Sequence, residues 1–402
     1  MALIVKKFGG SSLADAVCIE RVAGIIAESY SEGNNVVVIL SAQGDRTDEL
    51  IEKAMEINPN PSKREMDVLL STGEQESVAL MTMALCKMGL PAVSLTGWQI
   101  GMHTDSEYGS ARVKKVSCER MQAELDRRRI VVVAGFQGIN KYDDITTLGR
   151  GGSDTTAVAI AATLNADICK IYSDVEGVYT ADPNKIPGAI KLEQITYDEM
   201  LELASLGAQV LHNRSVEMAK RYRVDLEVLS SFVKKPGTKV MEVTTVEQSK
   251  ISGVAKDANV ARIALVGLKD QPGVAFKLFQ ILAKAKINVD IILQSIGRGE
   301  SKDISFTVAK NDREQAEALL SENKEALGYE SISVSDKIVK VSTVGANMRS
   351  ASGVAAKMFE ALYDAKINIS MISTSEIKIS VLVDEKDGDR AVEAIHRKFF
   401  ED

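Results

Sequence analysis

Lys7-Phe8-Gly9-Gly10-Ser11-Ser12 follows directly on the apolar run Leu3 to Val5 and precedes a helical stretch that begins near Leu13. A strand, a glycine turn with a cation and hydroxyls, and a helix N-terminus bring bare amides and one ammonium together, the outline of a cradle for anionic oxygens. Gly-Gly also serves as a plain turn, so neighbouring loops decide between the two readings. Ser41-Ala42-Gln43-Gly44-Asp45 follows the apolar run Val36 to Leu40, Ala134-Gly135-Phe136-Gln137-Gly138 follows Ile130 to Val133, and Ser173-Asp174 follows Ile168 to Tyr172. In an open parallel sheet the loops at the carboxyl ends of the strands share one edge, so these turns describe a single ligand crevice. Gly149-Arg150-Gly151-Gly152-Ser153-Asp154, ahead of the small-residue helix Thr155 to Thr163, adds an amide-rich N-terminus, a guanidinium and a carboxylate.

The composition, 45% hydrophobic and 26% charged over 402 residues, is that of a folded globular protein of two or three domains. No apolar run approaches the roughly 20 residues that span a bilayer, and Leu3-Ile4-Val5 runs straight into Lys6-Lys7 without a signal-peptide core, so a cytoplasmic protein is expected. Cys18, Cys86, Cys118 and Cys169 are scattered, which indicates neither a disulfide framework nor a zinc site and suggests buried free thiols. The net charge of -7 argues against general nucleic-acid binding, so a polyanionic ligand needs locally gathered cations, for which Lys7, Arg150, Lys234 and Lys235 stand out. His103, His212 and His396 lie far apart in sequence and read as structural, with no metal site expected.

Up to about Phe232, short β-branched runs alternate with amphipathic stretches. Strands are expected over the runs named above and over Asp225 to Leu229, and helices over Asp15 to Tyr30, Glu74 to Met88, Ala111 to Arg128 and Asp198 to Leu206. This is an α/β pattern with a mainly parallel sheet between helices. Lys234-Lys235-Pro236-Gly237-Thr238 breaks it, and a polar stretch runs to about Lys250. Beyond lies an internal repeat: with Gly273-Val274-Ala275 laid on Gly353-Val354-Ala355, Lys277, Phe279, Leu282, Ala285, Lys286, Ile287, Asn288 and Ile292 meet Lys357, Phe359, Leu362, Ala365, Lys366, Ile367, Asn368 and Ile372. Each copy reads as strand, glycine turn, helix and strand in a βαββαβ-like unit with open edges, suited to pairing within the chain or across a dimer. The expected domains are therefore 1–245, 246–330 and 331–402.

With these residues in view the chain resembles the aspartate kinases of the amino acid kinase fold, followed by two ACT domains. The resemblance is carried by Lys7 to Ser12, by Ser71-Thr72-Gly73-Glu74, by Gly149 to Asp154, by Ser173-Asp174-Val175-Glu176-Gly177-Val178-Tyr179-Thr180-Ala181-Asp182-Pro183, and by the duplicated tail. It implies a three-layer αβα sandwich with a mainly parallel sheet plus two ferredoxin-like α+β modules. It also implies transfer of the γ-phosphoryl group of MgATP to the side-chain carboxylate of L-aspartate, the first step toward lysine, threonine and methionine. An aspartate side chain has a reference pKa of about 3.9, so the nucleophile is already ionised and no general base is needed.

By the same resemblance, Lys7 and Asp154 are the catalytic pair, and Gly9, Gly10 and Ser11 cradle the β- and γ-phosphates. Arg150 takes the substrate α-carboxylate and Glu74 its ammonium, while Ser41, Thr47, Phe136 and Ser153 line the aspartate pocket. Ordinary structural readings stand beside these: a surface lysine at Lys7, and helix capping at Ser153-Asp154 and at Glu74. Ser173, Asp174, Tyr179 and Asp182 are expected around adenine and ribose, with Lys234 near the phosphates. Asn184-Lys185 stands where many relatives carry arginine after Asp-Pro, which shifts that contact to Lys185 or removes it.

Feedback by lysine, threonine or both is implied where the modules meet. Asp270, Gly273, Ala275, Ile292 and Gln294 match the effector pocket in the first module; Asn368, with Asn347-Met348-Arg349-Ser350, is the counterpart in the second. The expected assembly is a homodimer through the ACT modules, or a tetramer with a separately made C-terminal chain starting at Met241. A sister kinase acting on acetylglutamate is the rival enzyme, an amino-acid sensor with an inert kinase half the rival of another class. No Gly-x-x-x-x-Gly-Lys-Ser/Thr and no Gly-x-Gly-x-x-Gly after the first strand supports a P-loop kinase or a dehydrogenase.

Overall fold

Val36 to Leu40 is buried to the last residue, as a strand covered by helices on both faces must be. In the computed structural model, which describes residues 1–206, 210–242, 251–295, 297, 301–345, 348 and 353–401, this strand lies within an eight-stranded sheet. The strand order is Gln194–Thr196, Thr238–Met241, Leu226–Ser230, Ile168–Ser173, Leu3–Phe8, Asn35–Leu40, Ile130–Ala134, Ala92–Leu95. Every neighbouring pair is parallel except Leu226–Ser230 with Thr238–Met241. The pleat sorts the side chains: Val36, Val38 and Leu40 join one core with Ile19, Val22, Ile26, Val78, Met81 and Leu85 from the helices Ala16–Ser31 and Lys63–Lys87. The helix Gly152–Leu164 packs on the strands Leu3–Phe8, Asn35–Leu40 and Ile168–Ser173, and its run of alanines lets it come close. A smaller sheet, Val113–Lys115, His103–Thr104, Gln137–Ile139 and Ile145–Thr147, completes this unit.

Two expected helices differ. Glu119–Asp126 replaces the long helix expected over Ala111 to Arg128, because Val113–Lys115 is taken up as a strand against His103–Thr104. The helix expected from Glu74 begins instead at Lys63, with the Ser62 hydroxyl accepting the Glu65 amide. Ser71 and Thr72 fit inside it by donating to the carbonyls of Val68 and Leu69. Gly73 is required there, since a Cβ would lie 2.8 Å from the Cβ of Ala42. Of the four free cysteines only Cys18 and Cys169 are buried; Cys86 lies on the outer face of the helix Lys63–Lys87 and Cys118 at the start of a short helix, both exposed. No helix among the described residues is long and apolar enough to cross a membrane.

The second unit comprises residues 180–190 and those from 248 onward, and the first residues 1–179 and 191–247. The end of the Ser173-to-Pro183 motif therefore packs with the C-terminal part of the chain rather than with the unit expected to own it. Ala181 and Ile186 enter a core with Val254, Val341, Met358 and Ile395, and the Val254 amide donates to the Thr180 carbonyl.

Two antiparallel four-stranded sheets make up the rest, ordered Ile292–Gln294, Ser301–Val308, Ala261–Lys269, Ser331–Ser335 and Met371–Thr374, Lys378–Asp384, Ile338–Val344, Gly253–Asp257. The repeat is thus equivalent down to the backbone: Gly273 and Gly353 have φ of 93° and 95°, Lys286 and Lys366 φ of 60° and 56°. Its ends are not. Each central strand needs a partner on its open side; the first module uses the strand after its helices, the second the strand that precedes the first module. The module boundary expected at 330/331 therefore misassigns Ser331–Ser335, and Gly253–Asp257 belongs to the later module; the 245/246 boundary falls outside the described residues.

His396, on the helix Gly388–Phe400, is fully buried. Its Nε2 lies 2.9 Å from the Thr180 hydroxyl, which already accepts the Ile190 amide and so has its proton free for the ring. Nδ1 then carries the hydrogen and faces Glu401 at 3.8 Å. Burial pushes the imidazole pKa below its ordinary value, outweighing Glu401. The unfolded chain therefore binds the extra proton first, and the stability tied to neutral His396 is complete above about pH 6.5 and lost below it. The thermal midpoint of the second unit should fall between pH 7.5 and 5.5, and His396→Phe should flatten that slope; an unchanged slope in the variant rejects the assignment.

Candidate active site

Neighbouring residues of a strand point to opposite faces, and the two lysines of the first strand divide accordingly. Lys6 is buried, donates to the Ile25 carbonyl at 2.9 Å and sits over the Tyr172 ring; burial, aided by Lys170, lowers its pKa to about 8. Lys7 faces the helix Gly152–Leu164, with its ammonium 2.7 Å from Asp154 Oδ1. That oxygen lies off hydrogen-bonding directions, so the contact is an ion pair without a directed bond. Asp154 and Ser153 stand inside the first turn of this helix, whose N-cap is Gly151 with no side-chain cap, so the capping alternative does not hold for either.

The glycine turn packs more tightly than its sequence suggests. A Cβ on Gly10 would lie 2.8 Å from the Ala42 carbonyl, and the Gly44 amide donates to the Gly10 carbonyl, so the first loop is pressed against the second. The expected amide of Gly9 is engaged: it donates to the Tyr172 carbonyl at 3.3 Å, because the turn continues the pairing with the neighbouring strand. A Cβ at Gly9 would stand 3.6 Å from the Lys7 ammonium. Ser11 is exposed, whereas Ser12, which the sequence did not single out, is buried with its hydroxyl 2.7 Å from that of Ser231.

Glu74 sits mid-helix, not at a cap. Its Oε1 accepts the Ala42 amide at 3.1 Å, and its Oε2 is buried with no donor among the described residues. Burial pushes its pKa up to about 8, against the opposing pull of its own backbone amide and that of Ala42. Ser41, half-buried, donates its amide to the Phe8 carbonyl, and Thr47 lies half-buried on the helix Arg46–Ile57. Phe136 holds φ of 67°, strained for an aromatic residue, with its amide on the Thr156 hydroxyl and its carbonyl on the Leu148 amide. A Cβ on Gly135 would lie 2.7 Å from Ser153 Oγ, and one on Gly152 2.8 Å from the Phe136 ring, so this loop closes over the start of the helix. Arg150 is exposed between two left-handed glycines, of which Gly151 lies so close to His212 that no side chain fits.

Contacts made by these residues or by their chain neighbours Phe8, Ala42, Gly135 and Gly152 thus draw Lys7, Asp154, Gly9, Gly10, Ser41, Glu74, Phe136 and Ser153 toward the ends of neighbouring strands. The expected nucleotide residues are more dispersed. The Ser173 hydroxyl donates to Asp174, which is exposed, and Tyr179 bridges to Lys191. Asp182 and Lys185 belong to the second unit, where the Lys185 ammonium lies 3.8 Å from Asp389. Lys234 is highly exposed and paired with Glu28, whose carboxylate raises its pKa; Lys235 pairs with Glu176 at 3.1 Å. In the tail, Asp270 holds Lys302 at 2.6 Å and Gly273 opens the helix Val274–Lys284, whose Ala275 is half-buried against the core. Ile292 and Gln294 lie exposed on an edge strand, and Asn368 is exposed; Asn347, Arg349 and Ser350 lie outside the described residues.

Residues 2–230 match the amino acid kinase family, and residues 263–323 and 341–399 match the ACT domain. The chain is 49% identical to the aspartate kinase of Pseudomonas putida over 401 residues, covering 99% of this chain and 98% of that one. It is likewise 49% identical to the aspartokinase of Corynebacterium glutamicum over 405 residues, at 99% and 96% coverage. Among solved structures, Escherichia coli aspartokinase III in complex with aspartate and ADP, in its R-state, superposes with a TM-score of 0.84 at 26% identity, covering 99% of this chain and all of that one. The same enzyme in complex with lysine and aspartate, in its T-state, gives a TM-score of 0.76 at 26% identity, over 99% of each chain.

A carboxyl whose folded pKa lies above its unfolded value is a burden that grows with pH: absent below about pH 4.5, complete above about pH 8, and on the order of a few kcal/mol for Glu74. Glu74→Gln keeps an acceptor for the Ala42 amide and removes the charge. The ligand-free variant should melt several degrees above the parent at pH 9 and close to it at pH 5, as scanning calorimetry would register; equal midpoints at pH 9 contradict the burial argument.

Proposed function

The chain belongs to the aspartate kinases of the amino acid kinase family, with ACT modules behind its catalytic unit, and from that premise we propose that it moves the γ-phosphoryl group of MgATP onto the side-chain carboxylate of L-aspartate, giving 4-phospho-L-aspartate. The observation that carries this reading is the Lys7–Asp154 ion pair at the first turn of the helix Gly152–Leu164. A largely buried ammonium held by one off-axis carboxylate can turn to a phosphoryl group while Asp154 holds it in place. Arg150 takes the α-carboxylate with its planar fork, and Glu74 Oε2 takes the α-ammonium, the positive group this buried oxygen lacks. Ser41, Thr47, Phe136 and Ser153 shape the pocket between them.

On the nucleotide side Gly9, Gly10 and Ser11 approach the β- and γ-phosphates; with the Gly9 amide engaged, what Gly9 contributes is a surface without a side chain beside the Lys7 ammonium. Ser173, Asp174 and Tyr179 hold adenine and ribose, and Lys234 reaches the phosphates by leaving its surface partner Glu28. The magnesium of the nucleotide complex would supply neutralisation of phosphate charge. Asp154 Oδ1, a buried carboxylate oxygen without a hydrogen bond, is of the kind such a hard cation accepts. The complex of E. coli aspartokinase III with aspartate and ADP supports both substrates.

Control falls to the ACT modules, with lysine, threonine or both as effectors bound around Asp270, Gly273, Ala275, Ile292, Gln294 and Asn368. The lysine complex of E. coli aspartokinase III favours lysine. The exposed edge strands Ile292–Gln294 and Met371–Thr374 suit pairing with a second copy, in a homodimer or with a shorter chain begun at Met241. The effector stabilises a less active arrangement by about 1–3 kcal/mol.

Hydroxylamine trapping of the acyl phosphate formed from ATP and L-aspartate tests the reaction, with N-acetylglutamate as the competing acceptor. Lys7→Met should lower kcat by about 10²–10³-fold while nucleotide still binds, in line with the loss of one transition-state donor; an unimpaired, folded variant removes the proposal. In the same assay lysine and threonine are added singly and jointly, and Gln294→Ala should blunt the inhibition. If both amino acids inhibit that variant as they do the parent, the effector pocket is misplaced.

A further inference from the structure

Among the described residues Glu74 Oε2 is not the only buried acceptor without a donor: Gln137 Oε1 is another, on a residue with no exposed surface at the start of the strand Gln137–Ile139. The direction of its carboxamide is set by chemistry. The side-chain nitrogen lies 2.8 Å from the Ser71 carbonyl, and turning the amide over would set oxygen against oxygen, so Oε1 must be the free end. Ser71 and Glu74 are both buried on the helix Lys63–Lys87, one turn apart, where side chains about 5–6 Å apart share a face. Helical side chains lean toward the N-terminus, which carries the Glu74 carboxyl back over the turn where Gln137 docks. The loops are also tied from the sheet side, since the Gly135 amide donates to the Leu40 carbonyl and the Ala42 amide to Glu74 Oε1.

We propose that Gln137 is a specificity residue for the amino group of the substrate, its Oε1 accepting one N–H of the ammonium whose charge Glu74 balances. An ammonium carries three donors and no acceptor, and a buried carboxylate beside a buried carbonyl oxygen is the complementary pair. An acceptor substrate whose amine is missing or acylated leaves both oxygens unpaired, a penalty larger than the loss of an apolar contact. The proposal rests on the assignment of Glu74 made above.

The test compares L-aspartate with succinate, which has the same two carboxylates and no amine, in Gln137→Met and Glu74→Gln variants of the full chain. In Q137M the KM for aspartate should rise about 10–100-fold, the range of a hydrogen bond to a charged group, with kcat within about threefold and the Ki of succinate unchanged. Equal weakening of aspartate and succinate would mean that Gln137 only holds the Ser71 carbonyl, and no weakening of either would mean that it does nothing here; each outcome overturns the proposal. If E74Q weakens aspartate selectively and Q137M does not, Gln137 alone is wrong; if E74Q fails to discriminate, the Glu74 assignment falls first. Should Q137M not fold, Gln137→Leu is read in the same way, and a structure of the parent with aspartate bound decides without any variant: a nitrogen farther than about 3.5 Å from Gln137 Oε1 rejects the idea.

Discussion

The ion pair between Lys7 and Asp154 is the contact around which the first unit is arranged. Charges withdrawn from water are tolerated only beside a partner, and these two come from elements far apart in sequence, the end of the first strand and the first turn of the helix Gly152–Leu164. Holding them in contact needs the parallel sheet, which aligns the strand ends, and a helix slim enough to lie close on it. The alanines of that helix and the β-branched strands beneath it serve the same end.

A second constraint is how closely loops approach. Gly10, Gly73, Gly135 and Gly152 each stand where an added carbon would strike backbone, ring or side chain. Three of them bind the loops after neighbouring strands into one body, and the fourth lets the helix carrying Glu74 press on Ala42. The same packing strands Glu74 Oε2 and Gln137 Oε1 without donors. Such groups are rare in folded interiors, and a cation bearing several N–H groups is the kind of ligand that would satisfy them.

The second unit shows duplication with one alteration. Both modules repeat the same left-handed turns, yet each finds its fourth strand on a different side of itself in the chain, so the first module is a continuous segment and the second is split around it. Into this unit runs the stretch Thr180–Ile190, anchored by His396 on Thr180 and by Ala181 and Ile186 in the core. A motif that begins at the first unit's strand Ile168–Ser173 ends as part of the unit that carries the ACT modules.

The sequence by itself determined the α/β class, the parallel strands, the glycine turns at their ends and the repeat, because each is written in local periodicity, in residues with special backbone freedom, or in recurrence along the chain. Motif order was enough to identify the family, and the pairing of Lys7 with Asp154 was legible through it. Tertiary structure decided what depends on distant partners. Ser71 to Gly73 read as the cap ahead of a helix from Glu74 but lie inside one, because Gly73 must pass Ala42 and the hydroxyls bond back to the helix. The Gly9 amide, free in any local reading, is taken by Tyr172 from another strand. Which module owns Gly253–Asp257, and that Gln137 is left with an unpaired oxygen, follow from pairings across tens of residues. No local pattern encodes such pairings, since they depend on which surfaces meet once the core has closed.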